Sequence, residues 1–199
     1  MMQRVSSPFA HSTFSIETGR MAKQADGSVL AQFGDTVVIA AVVGAKDPMP
    51  GKDFFPLTVE YRERSSSAGR IPGGWFKREG RPRTKETLTS RLIDRPIRPL
   101  FPDGFFNEVQ MMITVISSDQ ENDSDVLAVT AASAALAVSD IPVSDMFGCV
   151  RVGRVNGDLI VNPTFAQMKN STLDLVVAAS RKAVVMVEGG ADEESESVI

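Results

Sequence analysis

The most restrictive feature of this sequence is Val37–Val43, an unbroken run of β-branched and small apolar residues. Such a run is typical of a central strand that is covered on both faces. Asp26-Gly27 predicts a tight hairpin turn, and a loop is predicted over 46–51, where two prolines and a glycine interrupt the pattern. Further strands are predicted over 13–17, 21–25, 29–33 and 55–61. The first sixty residues are therefore expected to form a β-meander.

The second half of the chain combines strands with one apolar helix. Residues 126–139 are rich in Ala, Leu and Val, which predicts a buried helix that packs closely on a sheet and ends at Ile141-Pro142. Asn156-Gly157 predicts a type I′ hairpin turn. Strands are predicted over 109–116, 150–155, 159–161, 172–178 and 183–187. The expected fold class is α+β.

The acidic tail is predicted to lie outside this domain. From Gly189 onward there is no apolar periodicity before Val198, and four acids occur: Asp192, Glu193, Glu194 and Glu196. We therefore expect one domain over 1–188 and the start of a linker over 189–199.

Cysteine and histidine usage excludes several classes of site. The single Cys149 excludes an internal disulfide and indicates a reducing compartment, and the single His11 excludes a His-rich metal site. No stretch reaches the roughly 18 apolar residues of a membrane span, and the N-terminus does not have the pattern of a signal peptide. The cytoplasm is the expected location, with no membrane partner.

One segment, Arg62–Arg98, differs in charge from the rest of the chain. This basic segment holds eleven Lys or Arg and four Asp or Glu, a net of +7, whereas the remaining residues carry 10 basic and 21 acidic side chains, a net of −11. A basic segment in an acidic protein indicates a polyanionic partner. Nine of the eleven are Arg, which grips phosphate bidentately, and Trp75-Phe76 offers bases a stacking surface. The alternative is a solvated loop whose arginines pair with the protein's own acids.

Local structure within the basic segment is predicted in two parts. Residues 65–83, rich in Ser and Gly, predict an exposed loop. A helix is expected from about Lys85, with Thr84 as N-cap and Glu86 in its first turn. Arg91, Arg95 and Arg98 share one face of a continuing helix, but the following prolines predict that the helix stops or kinks near Arg95.

No catalytic constellation accompanies these features. His11 is expected to be a surface residue near a frayed terminus, and Cys149 a small buried hydrophobe. The glycines of the basic segment do not match a phosphate-binding loop, because no Gly-Lys-Ser/Thr follows them. The acids of 119–125 lack the glycine and glutamate that a calcium loop requires, so they predict an acidic helix start.

Several long motifs nevertheless occur in an order that resembles the polynucleotide phosphorylase family, in the first of its two ribonuclease PH-like core domains. These motifs are Phe54–Tyr61, Ala68–Gly73, Trp75–Pro82, Arg91–Phe101, Ala131–Ala135 and Leu173–Val177. The resemblance implies a β-α-β-α core like that of ribosomal protein S5. It also implies an enzyme that uses inorganic phosphate to degrade RNA from its 3′ end, requires magnesium, and forms a homotrimer around single-stranded RNA, with RNA-degradation complexes as further partners.

The resemblance assigns RNA binding, and no catalytic or metal residue, to this chain. The family's Phe-Phe-Arg-Arg loop corresponds to Trp75, Phe76, Lys77 and Arg78, with Arg81 in the same loop. Arg91, Arg95 and Arg98 match arginines that line the RNA path, although each could instead pair internally with Asp94 or Glu86. The phosphate-binding serines and metal-binding aspartates belong to the family's second core domain, which this sequence lacks.

Two alternatives remain open from the sequence. One is a non-catalytic RNA-binding module of similar fold. The other is a free-standing ribonuclease PH-type enzyme, which would need a phosphate site and metal carboxylates that we do not find in the sequence.

Overall fold

A six-stranded sheet carries the first part of the chain. The computed structural model describes residues 1–48 and 50–196. The strands of this sheet are β1 (Gln3–Phe9), β2 (Ser12–Thr18), β3 (Gly27–Phe33), β4 (Thr36–Pro48), β5 (Leu57–Glu63) and β6 (Asn107–Ser117). Their order is β1-β2-β3-β4-β6-β5, and only the β5–β6 pair is parallel among the described residues.

An antiparallel four-stranded sheet and the helices complete the fold. The second sheet has the order β10-β9-β7-β8. Its strands are β7 (Gly148–Val155), β8 (Asp158–Val161), β9 (Leu173–Ala179) and β10 (Val184–Ala191). The helices are α1 (Thr84–Ile97), α2 (Ser124–Ala137) and the short α3 (Phe165–Met168), with 3₁₀ turns at Ser65–Ala68 and Arg98–Leu100. The predicted α+β class is confirmed.

Helix α2 is the predicted buried helix, and it contacts both sheets through β3, β4 and β7. Four of its six alanines are fully buried, and their small side chains let the helix approach the first sheet closely: Ala128, Ala131, Ala132 and Ala135. At Gly27, a Cβ atom would lie 2.2 Å from the Ala135 carbonyl oxygen, so this position of β3 accepts only glycine. One continuous core joins the two sheets around α2. The helix ends at Ala137, before the predicted Ile141-Pro142.

Strand β4 occupies the predicted central position, between β3 and β6. One face of β4, formed by Val38, Ala40 and Val42, is fully buried. The opposite face is half-buried along most of the strand, and Val43 is 48% exposed. Within the described residues, the prediction that β4 is covered on both faces is therefore correct for one face only.

Three local predictions for the first sixty residues are wrong. The N-terminus is not frayed, because β1 pairs along its length with β2 and the His11 Nε2 atom lies 2.9 Å from the Asn122 Oδ1 atom. Every residue of β1 is exposed, so its polar sequence gave no strand signal. Residues 21–25 form a turn, in which the Ala25 N–H donates to the Ala22 carbonyl. Strand β4 extends to Pro48, into the predicted loop 46–51, of which residue 49 lies outside the described residues.

The predicted meander is correct for β2–β4, to which β1 adds an unpredicted edge strand, but not for β5. Strand β6 lies between β4 and β5, so β5 does not pair with its predecessor in the chain. This insertion makes β5 parallel to β6, and a parallel pair needs a long crossover connection. The basic segment supplies that connection, with α1 as its helix.

The hairpin predicted at Asn156-Gly157 is confirmed, and the predicted strands 172–178 and 183–187 pair antiparallel as β9 and β10. Asn156 and Gly157 have φ values of 54° and 91°, the positive angles that a type I′ turn requires. Strand β10 continues to Ala191, beyond the proposed domain boundary at 188. Glu194 forms an ion pair with Arg154, which holds part of the predicted linker against the second sheet, and residues 197–199 lie outside the described residues. Within the described residues, no helix is both long and apolar enough to cross a membrane.

Helix α1 begins and ends one or two residues from its predicted limits. Arg83, not Thr84, occupies the N-cap position. Pro96 lies inside the helix, which continues to Ile97 because the Arg98 N–H still donates to the Asp94 carbonyl and both Pro96 and Ile97 are buried. Packing of the last turn thus outweighs the hydrogen bond that proline removes.

A buried carboxylate joins α1 to β5. The Glu86 carboxylate accepts hydrogen bonds from the Glu63 N–H at 2.9 Å and from the Arg83 N–H at 2.6 Å. Burial opposes ionisation of Glu86, but these two hydrogen bonds and the Arg83 guanidinium outweigh burial and lower the pKa of the carboxyl. The two ends of the connection between β5 and α1 therefore meet at one side chain.

Replacing Glu86 should destabilise the fold. Glu86→Ala leaves two N–H groups without their acceptor and should lower the free energy of unfolding by about 1–3 kcal/mol. Glu86→Gln keeps one acceptor oxygen and should cost less. Urea unfolding followed by circular dichroism measures both, with Glu60→Ala on the exposed face of β5 as control. A loss in Glu86→Ala no larger than in the control would contradict the bridging role.

The same carboxylate predicts a pH dependence. Because its pKa is lowered by folding, ionised Glu86 stabilises the fold above its unfolded pKa, and this contribution is lost as the pH falls through the folded pKa. Between about pH 6 and about pH 3, the parent should therefore lose more stability than Glu86→Gln. Equal losses in the two proteins would contradict this assignment.

Candidate nucleic-acid interface

The start of the basic segment is held against the first sheet. After β5, the 3₁₀ turn Ser65–Ala68 ends at Gly69, whose φ of 67° is left-handed. The Ser67 carbonyl accepts a hydrogen bond from the Ser118 N–H at 3.0 Å, just beyond the end of β6. Arg70 donates to the Gln120 side chain at 3.2 Å. The chain therefore leaves the sheet in a defined direction at Arg70.

The following residues form the basic loop, which we define as residues 69–83. This range contains no helix or strand. Trp75 is 91% exposed and Phe76 is 80% exposed, unlike aromatic side chains that serve a core. A Cβ atom at Gly73 or Gly80 would have no atom within 4 Å, so the loop is open on several sides. The predicted exposed loop over 65–83 is correct from Gly69 onward, and residues 65–68 form the 3₁₀ turn.

Acidic side chains of the protein pair with six of the eleven basic residues in the segment. Arg62 pairs with Glu60, Arg64 with Glu79, Arg83 and Lys85 with Glu63, Arg95 with Glu188, and Arg98 with Asp94. Arg70 has its hydrogen bond to Gln120. Within the described part of the chain, the side chains of Lys77, Arg78, Arg81 and Arg91 have no ion pair or hydrogen bond. Each of these four residues belongs to the predicted RNA-binding set.

The three predicted arginines of α1 differ in their surroundings. Arg91, Arg95 and Arg98 are all exposed, as predicted for one helix face. Arg95 does pair internally, the alternative left open by the sequence, but its partner is Glu188 of β10 and not Asp94 or Glu86.

Arg98 is tied to the fold by several contacts. It binds the Asp94 carboxylate at 2.6 Å and donates to the Phe55 carbonyl at 3.0 Å, with its guanidinium 5.6 Å from the Phe55 ring centroid. These contacts connect α1 to the residues before β5, which indicates a structural role for Arg98. Arg91 is the arginine of this face that has no such contacts in the described protein.

Two acids that organise the segment were not identified from the sequence. From the sequence, Glu86 is expected to serve the helix dipole or to pair with an arginine of α1, although its position three residues after Arg83 is the spacing at which a side chain reaches back to an N-cap. Glu79 was not assigned a role. Its Oε2 atom lies 2.6 Å from the Arg64 Nη1 atom, and its Oε1 atom accepts from the Ser65 N–H at 2.6 Å. No sequence pattern indicates this contact across fourteen residues.

A second charged cluster lies at the start of α2. Arg151 pairs with Asp125 and with Asp174, the latter at 2.8 Å. Burial is the main cause of a raised pKa at Asp125, and Asp123 adds to it. Asp123 is the N-cap of α2, so the predicted acidic helix start is correct. Among the described residues, no group of three or more His, Cys, Asp or Glu could hold a metal ion, so these residues do not fit magnesium.

Cys149 does not provide a nucleophile. It is 6% exposed, as predicted for a small buried hydrophobe, and burial raises the pKa of its thiol to about 12. The thiol is therefore protonated at neutral pH and unreactive.

Two consecutive family models match the chain. The model described as "3′ exoribonuclease family, domain 1" matches residues 12–142, and "3′ exoribonuclease family, domain 2" matches residues 145–199. The boundary between them falls between α2 and β7, where the chain passes from the first sheet to the second.

Three curated relatives have the same name, polyribonucleotide nucleotidyltransferase. The chain is 57% identical over 197 residues to the polyribonucleotide nucleotidyltransferase of Hyphomonas neptunium, covering 99% of this chain and 28% of the relative. It is 60% identical over 185 residues to that of Methylocella silvestris, covering 93% and 26%, and 56% identical over 196 residues to that of Rhizobium meliloti, covering 98% and 27%. The chain thus spans about a quarter of the length of these relatives.

Solved structures of low identity share the fold. Rice (Oryza sativa) Rrp46 superposes with a TM-score of 0.70 at 17% identity, covering 98% of this chain and 82% of that one. A chain of the Archaeoglobus fulgidus exosome, with RNA bound to the active site of that assembly, gives a TM-score of 0.68 at 18% identity, covering 100% and 80%. The ribonuclease PH-like core expected from the sequence is thereby confirmed.

The geometry of the basic loop predicts unequal amide exchange. Amides of residues 71–78 should exchange at rates close to those of an unstructured peptide, because the one backbone hydrogen bond within this stretch, from the Lys77 N–H to the Gly74 carbonyl, is long at 3.4 Å. The Ser118 and Arg83 amides should be protected, since each donates to a fixed acceptor. Hydrogen exchange followed by NMR measures both groups. Strong protection across 71–78 in the free protein would contradict the open loop.

Proposed function

The chain belongs to the 3′ exoribonuclease family, and from that premise we propose that it is the first core domain of a polynucleotide phosphorylase. In this proposal the domain binds single-stranded RNA for an enzyme that degrades RNA from its 3′ end with inorganic phosphate and releases nucleoside diphosphates. The names of the relatives, at 56–60% identity over nearly the whole chain, support the reaction class. The sequence predicts a domain over 1–188 and a linker over 189–199; because β10 continues to Ala191, we propose that the linker starts after that strand.

One observation carries the proposed RNA-binding role. Among the described residues of the basic segment, the basic side chains without a partner are those of Lys77, Arg78, Arg81 and Arg91, and three of these four lie within six residues of the exposed Trp75 and Phe76. Unpaired cations attract phosphates without first breaking an internal pair, and exposed rings stack on bases of any identity. This combination favours binding along a single strand with little sequence preference.

The proposed contacts differ among the eight predicted residues. Arg78 and Arg81 would each contact a phosphate, Lys77 would add a point charge, and Trp75 or Phe76 would stack on a base. Arg91 is free to contact RNA directly. To bind a phosphate of RNA, Arg95 would have to break its ion pair with Glu188. Arg98 would have to give up its contacts with Asp94 and Phe55.

We further propose the cofactors, partners and location of the longer enzyme. It would use magnesium and inorganic phosphate, with ligands outside this chain, and work as a cytoplasmic homotrimer that can join RNA-degradation complexes. The described residues do not fit magnesium, so no chemical step is assigned to them.

Removing one stacking ring or one cation should give different binding signatures. Arg78→Ala should weaken binding to all homopolymers alike and reduce the salt slope by about 0.7, the value per phosphate contact on a single strand. Trp75→Ala should weaken binding by about 1–3 kcal/mol with nearly the same salt slope, because it removes no charge. Fluorescence anisotropy with labelled RNA across a salt series measures both.

The control for this experiment is Lys169→Ala. Lys169 is exposed near α3, outside the basic segment, and its loss should change binding little. If Trp75→Ala and Arg78→Ala both bind like the parent at every salt concentration, the basic loop is not the RNA-binding element.

The chain by itself should not catalyse phosphorolysis. No carboxylate group suited to a metal ion exists among the described residues, so metal-assisted attack by phosphate has no support here. Incubation with polyadenylate RNA, magnesium and phosphate should release no ADP above background. Release of ADP by clean protein would refute this prediction and favour a free-standing enzyme.

A further inference from the structure

Glu79 is the one acid of the basic loop, and its position is unfavourable for RNA binding by charge alone. It follows Arg78 directly and precedes Arg81 by two residues. A carboxylate at this place repels the phosphates that its neighbours attract. If charge were its only effect, removing Glu79 would strengthen RNA binding.

The contacts of Glu79 indicate a different effect. Within the described protein, every hydrogen bond or ion pair that ties residues 71–82 to the remainder passes through the Glu79 carboxylate. One oxygen accepts from the Arg64 side chain and the other from the Ser65 N–H, both at 2.6 Å. The two bonds fix the plane of the carboxylate as well as its position. They also join the loop to the 3₁₀ turn that is itself held at the end of β6.

The bonds to Glu79 divide the loop into two short stretches. Without them, the chain would be free from Arg70, held by Gln120, to Arg83, held by Glu86. With them, residues 71–78 form a closed loop whose tip carries Trp75–Arg78, and Arg81 lies between two fixed points. A shorter closed loop has fewer conformations to lose when its side chains bind a ligand. The hydrogen bond from Arg64, followed by that from Ser65, also lowers the pKa of Glu79, so the carboxylate is ionised at neutral pH.

We propose that Glu79 is a positioning residue for RNA, which holds the stacking rings and cations of the basic loop in the arrangement that binds a single strand. This inference rests on the proposed function of the loop. It assigns to Glu79 no direct contact with RNA. Removing Glu79 should weaken RNA binding if the residue positions the loop, but strengthen it if only its negative charge matters. The two roles can therefore be distinguished by experiment.

Two variants of Glu79 test the proposal in RNA-binding measurements with labelled oligoadenylate. Glu79→Ala removes both bonds and should raise Kd by about two- to five-fold, within the range measured for exposed ion pairs. Glu79→Gln keeps an oxygen for the Ser65 N–H and should fall between Glu79→Ala and the parent. The salt slope should stay unchanged in both, because no cation is lost. Glu60→Gln is the matched control, since Glu60 also pairs with an arginine, Arg62 at 2.9 Å, but lies on β5; it should bind as tightly as the parent or more tightly.

A second readout follows the loop itself. Trp75 is the only tryptophan of the chain, so fluorescence excited at long wavelengths, where Tyr61 does not absorb, reports on the loop tip alone. Without RNA, the anisotropy of Trp75 should fall in both Glu79 variants and stay unchanged in Glu60→Gln, while thermal unfolding by circular dichroism stays the same. A weakened fold in general would not produce this combination.

The outcomes separate the inference from the function on which it rests. If Arg78→Ala weakens binding but both Glu79 variants bind as tightly as the parent or more tightly, Glu79 acts by charge and the positioning role is wrong. Unchanged Trp75 anisotropy in both variants would also overturn it. If Arg78→Ala and Trp75→Ala bind like the parent, the proposed RNA-binding role of the basic loop itself fails.

Discussion

Two backbone N–H groups, of Glu63 and Arg83, donate to the same buried carboxylate of Glu86, and the arrangement of the basic segment depends on this interaction. The contact brings the end of β5 and the start of α1 together, although nineteen residues separate them in sequence. Because Glu86 fixes both ends of the connection between β5 and α1, the residues in the middle of that connection can lack contacts while its ends keep defined positions. The Glu86 contact therefore contributes to the stability of the fold and also allows the basic loop to stay exposed.

The distribution of ion pairs explains how an acidic protein can present a basic surface. Acids of the segment itself, such as Glu63 and Asp94, pair with the arginines nearest to the sheet and the helix. Such exposed pairs add little stability each, but they neutralise cations that lie against the fold. Among the described residues of the segment, the cations that remain unpaired lie in the basic loop and on the outer face of α1. Local pairing thus determines which cations of the segment are available to the proposed polyanionic partner, and the net charge of the whole chain has little influence on that selection.

Much of the fold could be predicted from the sequence, because its strongest signals are local. The apolar run of β4, the small residues of α2 and the Asn156-Gly157 turn each predict a local structure from residues that are adjacent in sequence. Strand β1 could not be predicted, since its residues are all exposed and only pairing with β2 makes it a strand. The same limit applies to α1 beyond Arg95, where burial of Pro96 and Ile97 outweighs the usual effect of proline.

For the candidate site, residue types and motifs identified the loop and its exposed aromatic and basic side chains. The sequence could not indicate which of these cations were free, because their partners are distant in the chain. Arg95 pairs with Glu188, ninety-three residues away, and Arg98 binds the carbonyl of Phe55. Glu79 was missed for the same reason, since its contact with Arg64 exists only when the loop has closed.

The insertion of β6 between β4 and β5 has a consequence for synthesis on the ribosome. Strands β2 to β4 can each pair with the preceding strand as they emerge. The second edge of β4 stays open until residues 107–117 appear, because its partner there is β6. Until then β5 also has no strand to join. A nascent chain that has reached α1 therefore exposes an apolar strand edge, which is the kind of surface that chaperones and neighbouring chains bind. The charged segment that precedes β6 determines how long this interval lasts.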